Sequence, residues 1–164
     1  VDQNFQALGI IFREVDVLIG IGSSGAHSNG YTYIHRAFDV WEMLPDGITT
    51  PTLIYYDVID AIDRMFGING MAHITGGAFT KIKAYLSGCD AFIHRSHALE
   101  PHSLFRDLLK RGVPERDMYR IFNCGIGFVI GVEKERVNVC LNRLCRNSHA
   151  DVIGQIKKGS DACI

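Results

Sequence analysis

The sequence predicts an α/β domain of α+β type, with three layers (α/β/α) built around a mixed sheet. Short β-rich runs bounded by glycine or polar residues alternate with longer segments whose apolar residues recur at helical spacing. The 164 residues, 47% apolar and 21% charged, suffice for one domain with a core but are few for two. This alternation favours a sheet covered by helices, and it leaves open whether every strand is parallel.

The first half of the chain starts with a buried strand at Val15–Ile21, followed by a Gly/Ser-rich turn and a helix that Pro45 stops. The apolar residues at helical spacing in that first helix are Ile34, Ala37, Phe38, Trp41 and Leu44. A second helix is predicted from near Pro51, with Gly67 as a left-handed cap. Its inward residues are predicted to be Ile54, Tyr55, Val58, Ile59, Ile62 and Phe66.

The middle of the chain repeats a pattern of strand, glycine turn and helix. Met71–Thr75 is a short strand, and Gly76 and Gly77 lead from it into a helical stripe of Phe79, Ile82 and Leu86. Asp90–His94 is predicted to be the next strand. A helix from Pro101 to Lys110 follows, ends at Gly112, and turns four residues inward: Leu104, Phe105, Leu108 and Leu109.

Two strands and one helix complete the predicted domain. Gly127–Val132 is a strand, and Asp151–Ile156 is the final one. Between them, a helix from about Glu133 places five apolar residues on one face: Val137, Cys140, Leu141, Leu144 and Cys145. The pair Cys140 and Cys145 is therefore interpreted as small core residues.

Composition excludes several classes of function. Seventeen basic and eighteen acidic residues give a net charge of −1, without a Lys/Arg block of the kind that binds nucleic acid or anionic lipid. The apolar runs are far shorter than the roughly 20 residues of a membrane helix. Five cysteines without a C-x-x-C pair indicate reduced thiols and a cytoplasmic location. Because the chain begins with Val1, we expect a trimmed fragment.

The loop after the first strand is the most unusual segment, with the sequence Gly22-Ser-Ser-Gly-Ala-His-Ser-Asn-Gly-Tyr31. A Gly/Ser-rich turn that enters a helix directs free N–H groups and the positive end of the helix dipole at one point, which suits a phosphate. Glycines let the backbone approach a ligand here, and side-chain donors come from Ser23, Ser24, Ser28 and Asn29. Gly/Ser/Asn clusters are nevertheless mostly ordinary turns.

A second segment has the same form. His73 and Thr75 lead into the bare amides of Gly76 and Gly77. Neither segment is a nucleoside-triphosphate P-loop, because the G-x-x-x-x-G-K-[ST] pattern with its lysine is absent. Two such loops in one domain strengthen the prediction of a ligand site.

His27 lies inside the first loop among residues that we expect to be too small to bury it. An imidazole that titrates near pH ~6.5 can donate to a phosphate or move a proton at neutral pH. Ser23 and Ser24 do not fit the G-x-S-x-G pattern of a nucleophile elbow, so hydrolase chemistry is not supported.

Three other histidines lie close together in the sequence at positions His94, His97 and His102. No Cys or carboxylate stands at a usual ligand interval beside them, so no metal site is predicted and exposed strand-end histidines are the favoured interpretation.

Three motifs resemble, in order and spacing, signatures of one enzyme family. They are the loop Gly22–Tyr31, the segment Met71-Ala-His-Ile-Thr-Gly-Gly77 and the segment Met118-Tyr-Arg-Ile-Phe-Asn-Cys-Gly-Ile-Gly127. The family is aminoimidazole ribonucleotide synthetase, also called phosphoribosylformylglycinamidine cyclo-ligase. The resemblance covers the chain from about Val15 to Ile156, and it implies residues 1–14 as a remnant of an interdomain connection and residues 15–164 as the carboxyl-terminal domain.

The resemblance implies conversion of formylglycinamidine ribonucleotide and ATP to aminoimidazole ribonucleotide, ADP and phosphate. It makes His27 the catalytic histidine, for proton transfer or phosphoryl stabilisation. Asn123, Gly125 and Gly127 are expected to shape the backbone near the cleft or to be simply structural. The residues that it implies for substrate binding are Ser23, Ser24, Gly25, Ser28, Asn29, His73, Thr75, Gly76 and Gly77.

The same resemblance implies partners outside this chain. ATP and Mg²⁺ would be bound mainly by an amino-terminal domain that is missing here, and the full-length protein would be a homodimer. We therefore expect the chain to be inactive alone and to expose an apolar face. The sequence departs from the family pattern at Ala26, where proline is usual, and at Ala78, where a third glycine is usual.

Three alternatives remain open at this stage. One is another ATP-dependent enzyme of the same superfamily, of the formylglycinamidine ribonucleotide synthase or selenophosphate synthetase type. The others are a non-catalytic binding module and a plain structural domain with coincidental turns.

Overall fold

The structure is a computed structural model that describes residues 11–38, 45–146 and 148–163. Strands in these residues form one five-stranded sheet in the order β2-β4-β1-β5-β3. The strands are β1 (Val17–Gly22), β2 (Gly70–His73), β3 (Cys89–Ile93), β4 (Ile126–Val132) and β5 (Ala150–Lys158). Among the described strands, the central strand β1 comes first in the sequence, and its two neighbours in the sheet, β4 and β5, come last.

All four ladders between neighbouring strands are antiparallel. In the middle of the sheet, Ile19 lies opposite Ile130 on one side and Val152 on the other. The parallel component of the predicted mixed sheet is a single bridge between Ala91 and Cys163 in the described residues. The alternation of strands and helices in the sequence could not reveal that the ladders are antiparallel, because strand direction depends on how each connection crosses the sheet.

Helices connect these strands. They are α1 (Tyr31–Ala37), α2 (Tyr56–Phe66), α3 (Ser103–Lys110), α4 (Glu115–Ile121) and α5 (Val137–Leu144), with 3₁₀ helices at Ala78–Tyr85 and Lys134–Arg136. The helix predicted after Gly77 is thus a 3₁₀ helix. Helix α4 was not predicted, because its seven residues are too few for a periodic signal and include one buried residue, Met118.

Both faces of the sheet are covered by helices, as predicted. Residues of β1 alternate between the faces. Leu18 belongs to a buried cluster with Phe79 and Ile82 of the first 3₁₀ helix, whereas Ile19 belongs to a cluster with residues of α2 and α5. A third cluster joins α1, α3 and α4 around Phe105 and Phe122.

Several local predictions were wrong. Helix α2 begins at Tyr56 and not near Pro51, and Ile54 before it is 88% exposed. The Pro51 carbonyl accepts a hydrogen bond from the Ser24 hydroxyl at 2.8 Å, which ties this segment to the first loop. Leu109, predicted to face inward, is 42% exposed, because α3 packs on the core through the face that contains Leu104, Phe105 and Leu108.

The two cysteines of α5 differ. Cys140 is fully buried as predicted, but Cys145 caps the helix end and is exposed. Trp41 and Leu44, predicted to continue the first helix, lie outside the described residues.

Core packing on the face of α2 can be tested with one truncation. Ile62 is fully buried, so Ile62→Ala removes packed methylene groups and is expected to lower the free energy of unfolding by about 2–5 kcal/mol. Met65 on the same helix is 61% exposed, so Met65→Ala is expected to stay within about 0.5 kcal/mol of the unsubstituted chain. Urea unfolding followed by circular dichroism measures both. Equal losses of stability in the two variants would contradict the assignment of Ile62 to the buried face of α2 and of Met65 to its exposed face.

Candidate functional site

The two Gly-rich loops predicted to bind a ligand lie side by side. A methyl group built on Gly76 would come within 3.0 Å of Asn29 Oδ1, so the second loop packs directly on the first. The rings of His27 and His73 have centroids 6.3 Å apart. The structure therefore brings His27 and Asn29 of the first loop together with His73 and Gly76 of the second loop. The two loops are nearly fifty residues apart in the sequence.

Asn123 holds the first loop in place. Its side chain is 2% exposed, its Nδ2 donates to the Gly25 carbonyl at 2.8 Å, and its Oδ1 accepts from Ser23 Oγ at 2.8 Å and from the Gly125 N–H at 3.0 Å. The Ser23 N–H also donates to the Gly125 carbonyl at 2.9 Å. The third family motif, Met118–Gly127, thus holds the first loop in place through the Gly125 backbone and the buried side-chain amide of Asn123.

Glycine is required where the first loop turns against its neighbours. Gly25 has φ of +155°, and a Cβ there would lie 2.2 Å from the Gly47 carbonyl oxygen. Gly30, with φ of +74°, would meet the Phe122 ring at 2.1 Å. Both positions need close backbone approach, so these two glycines set the loop conformation.

The serines of the first loop are differently engaged. Ser23 and Ser24 donate their hydroxyl protons to protein acceptors, Asn123 Oδ1 and the Pro51 carbonyl. Ser28 is exposed and has φ of +58°. The predicted substrate-facing serines therefore divide into two that stabilise the loop and one that faces outward.

His27 is buried, contrary to the expectation that its neighbours are too small to cover it. It is 2% exposed and has φ of +51°. The covering groups come from elsewhere in the chain: Tyr55 at 6.2 Å between ring centroids, His73, and the backbone of Gly127, where a Cβ would lie 2.8 Å from His27 Cε1. Tertiary packing thus removes this imidazole from water.

Burial, and secondarily the nearby His73 imidazole, lowers the pKa of His27 from 6.5 to about 4. The expected titration near neutral pH is therefore wrong, and His27 is neutral at pH 7. Its Nε2 lies 3.1 Å from the Ser24 backbone N–H, which can only donate, so Nε2 carries the lone pair and Nδ1 the proton. That Nδ1 is buried without a hydrogen-bond partner among the described residues.

Tyr55 was not predicted to belong to the site. Its hydroxyl donates to the Gly22 carbonyl at 2.8 Å, and its ring lies 5.4 Å from Phe128 and 5.6 Å from His73 between centroids. Burial raises the pKa of the Tyr55 phenol well above its ordinary value. The sequence signal was an inward Tyr at the start of α2, which is equally typical of a core residue.

Lys81 supplies a positive charge beside the second loop, and it too was missed. Its ammonium group donates to the Thr75 hydroxyl. Burial, followed by the charge of Lys81, lowers the pKa of His73. A single lysine on a helix has no sequence signal of its own, because most such residues are solvated.

The backbone of the second loop is open to solvent. Gly76 and Gly77 are exposed, and their N–H groups donate to no acceptor in the described part of the chain. Gly77 has φ of +85°, and Ala78 follows with φ of +43°. Ala78 therefore adopts a conformation in which the usual glycine would be unstrained.

The three neighbouring histidines do not meet at one point. Rings of His94 and His97 lie 6.5 Å apart, whereas His102 caps α3 by accepting from the Leu104 N–H at 3.2 Å. Within residues 11–38, 45–146 and 148–163, no group of three or more His, Cys, Asp or Glu is placed to hold a metal ion. These described residues therefore provide no cage of three or more such ligands for Mg²⁺.

Residues 13–162 match the family described as AIR synthase related protein, C-terminal domain. The chain belongs to this family. Among curated relatives, the phosphoribosylformylglycinamidine cyclo-ligase of Clostridium perfringens is 37% identical, over 100% of this chain and 52% of the relative. The Geotalea uraniireducens protein of the same name is 40% identical, over 86% of this chain and 45% of the relative. The chain therefore spans about half the length of these relatives.

Solved structures show the same fold. Hydrogenase maturation protein HypE of E. coli superimposes with a TM-score of 0.64 at 17% identity, covering 94% of this chain and 47% of that one. A HypE complex with ATP gives 0.61 at 18% identity, covering 92% and 44%. No helix among the described residues is long and apolar enough to cross a membrane.

The neutral state of His27 predicts a dependence of stability on pH. Since the folded pKa of about 4 lies below the ordinary 6.5, the unfolded chain binds more protons between these values. The contribution of His27 to stability is therefore complete above pH 6.5 and is lost as the pH falls toward 4. His27→Asn, which tolerates positive φ, should show a smaller loss of stability than the unsubstituted chain over this window.

Urea midpoints at pH 7, 6, 5 and 4 measure this difference, and the His27 ring shifts in NMR spectra measure the pKa directly. Equal pH dependence in both proteins, together with a His27 midpoint near its ordinary value, would contradict the buried neutral imidazole.

Proposed function

We propose that this chain is the substrate-binding half of a cyclo-ligase that converts formylglycinamidine ribonucleotide and ATP to aminoimidazole ribonucleotide, ADP and phosphate. The observation that carries the proposal is the meeting of the two loops, with His27 and His73 in one aromatic cluster and Lys81 at its edge. The names of the relatives support the reaction class.

The second loop is proposed to hold the phosphate of the ribonucleotide. Exposed backbone N–H groups of Gly76 and Gly77 are free to donate, and Thr75 and Lys81 add a hydroxyl and a cation beside them. Backbone amides in a Gly turn, with one positive charge, match the oxygens of a phosphomonoester. The first loop would hold the rest of the substrate through Ser28 and Asn29, with Ser23, Ser24 and Gly25 maintaining its shape.

The two histidines are proposed to have different tasks. His73 is exposed at the end of β2, so it can contact the substrate directly. His27 packs against it and is neutral at pH 7, so it is proposed to position His73 and the first loop. Ring closure by an amidine nitrogen releases a proton, and the exposed His73 imidazole is proposed to accept it.

The rest of the reaction requires groups outside the described residues. We propose that the remaining half of the full-length protein binds ATP and Mg²⁺, that the full-length protein is a homodimer, and that it works in the cytoplasm. No step is assigned to Mg²⁺ on residues of this chain.

The chain alone is expected to have no ATP-dependent cyclo-ligase activity, because it provides only the substrate side of the site. A coupled assay for ADP with formylglycinamidine ribonucleotide measures this. Turnover by the purified chain would contradict the proposal that this chain binds the substrate while the other half binds ATP. Turnover that appears only when the other half is added would support it.

Substrate binding can be located by titration with aminoimidazole ribonucleotide, followed by amide NMR. Shifts are expected at residues 23–30 and 73–81. Lys81→Gln should weaken binding about tenfold because one charge-assisted hydrogen bond to phosphate is lost. Lys83→Gln is the matched control, because Lys83 is exposed, belongs to the same 3₁₀ helix and has no hydrogen bond to Thr75 among the described residues. This variant should bind as the unsubstituted chain does.

The same titration of the variants His27→Asn and His73→Asn tests how each histidine contributes to affinity. Loss of affinity in the His73 variant, with a smaller loss in the His27 variant, would agree with direct contact by His73 alone. No shifts at these loops at millimolar ligand would count against the substrate site.

A further inference from the structure

A cavity of about 510 Å³ is not used by the proposed function. None of the residues that the sequence predicted for substrate binding lines it. Its walls come from the end of β3 and the segment after it, from α4, and from the start of the first 3₁₀ helix. Its volume is within the roughly 300–1,000 Å³ that is typical of small-molecule sites.

The floor of the cavity is apolar. Phe79, Leu99 and Ile126 line it and are 7%, 5% and 2% exposed, and Ile93 lies beside them. The ring of Tyr119 forms a side wall, with its centroid 6.1 Å from that of Phe79. Such a surface favours the flat or apolar part of a ligand.

The rim of the cavity is positive. Arg95 and Arg120 both line it, and the lining residues include one carboxylate, Glu100, which lies 4.0 Å from Arg106. Arg95 lies over the Tyr119 ring at 4.8 Å and is paired with Glu115. Arg120 has no hydrogen-bond or ion-pair partner in the described part of the chain. Its guanidinium group is therefore available to bind an anion.

His97 adds a neutral ring to this wall. Burial and the neighbouring His94 imidazole lower the pKa of His97, so the ring is neutral at pH 7 in the absence of an anion. Its Nδ1 is buried and has no hydrogen-bond partner among the described residues, so that atom faces the protein interior and not the cavity.

We propose that this cavity binds a phosphomonoester with a flat or apolar body, of the size of a nucleoside monophosphate. The phosphate contacts Arg120 and Arg95, beside the neutral His97 ring, and the body lies on Phe79, Ile126 and the Tyr119 ring. Arginine guanidinium groups bind phosphate oxygens through paired, charge-assisted hydrogen bonds. The proposal does not depend on the cyclo-ligase reaction, because it involves neither loop.

The probe for this site is adenosine 5′-monophosphate, compared with adenosine and with inorganic phosphate. Calorimetric titration should show adenosine 5′-monophosphate binding at least tenfold more tightly than either part alone. Amide NMR should place the shifts at residues 93–101 and 119–126, and the His97 pKa should rise on binding. Shifts confined to residues 23–30 and 73–77 would overturn the proposal and would leave the substrate site intact as a separate finding.

Two variants of α4 test the contact with the phosphate. Arg120→Gln should weaken binding of adenosine 5′-monophosphate about tenfold and leave the affinity for adenosine unchanged. Arg116→Gln is the matched control, because Arg116 is 84% exposed, belongs to the same helix and does not line the cavity. Equal losses in the two variants would mean non-specific attraction by exposed arginine side chains and would overturn the site. Binding of inorganic phosphate as tight as that of the nucleotide would also overturn it.

Discussion

The buried amide of Asn123 joins the parts of the molecule on which the site depends. It links the loop after β1 to the turn before β4 by hydrogen bonds to both. Loss of this side chain would leave several buried backbone and side-chain groups unpaired, which is more costly than loss of a single exposed contact. The close approaches of Gly25 to Gly47 and of Gly30 to Phe122 follow from the same anchoring.

Burial also determines the chemistry that this site can perform. Packing of Tyr55 and the Gly127 backbone around His27 removes water, and that removal keeps the imidazole uncharged. Its neighbour His73 is shifted in the same direction, partly by the cation of Lys81. The positive charge of the site therefore resides on a lysine at the edge, while the buried His27 imidazole stays uncharged. This separation is suited to an anionic ligand whose phosphate stays near solvent and whose reacting atoms lie deeper.

Sequence patterns predicted most elements, because buried strands such as β1 and amphipathic helices such as α3 have strong periodic signals. The meeting of the two loops was implied by a family resemblance and is seen in the packing of Gly76 on Asn29. The environment of His27 was predicted incorrectly, since the residues that cover it are distant in the chain. Tyr55 was predicted to face inward but not to belong to the site, and Lys81 has no sequence signal of its own. Strand direction and the cavity beside Arg120 likewise depend on tertiary arrangement, which local composition does not encode.

The order of strands in the sheet has a consequence for how the protein is made. During translation, β1 leaves the ribosome before β2 and β3, but its two hydrogen-bonding neighbours, β4 and β5, emerge only after them. An apolar strand with both edges unpaired is a template for association with other chains, so the nascent polypeptide passes through an aggregation-prone interval. Closure of the sheet is a long-range event that must wait for β4 and β5, and such topologies fold slowly. Chaperones that bind extended apolar segments would therefore have their main effect on this protein between the synthesis of β1 and that of β4.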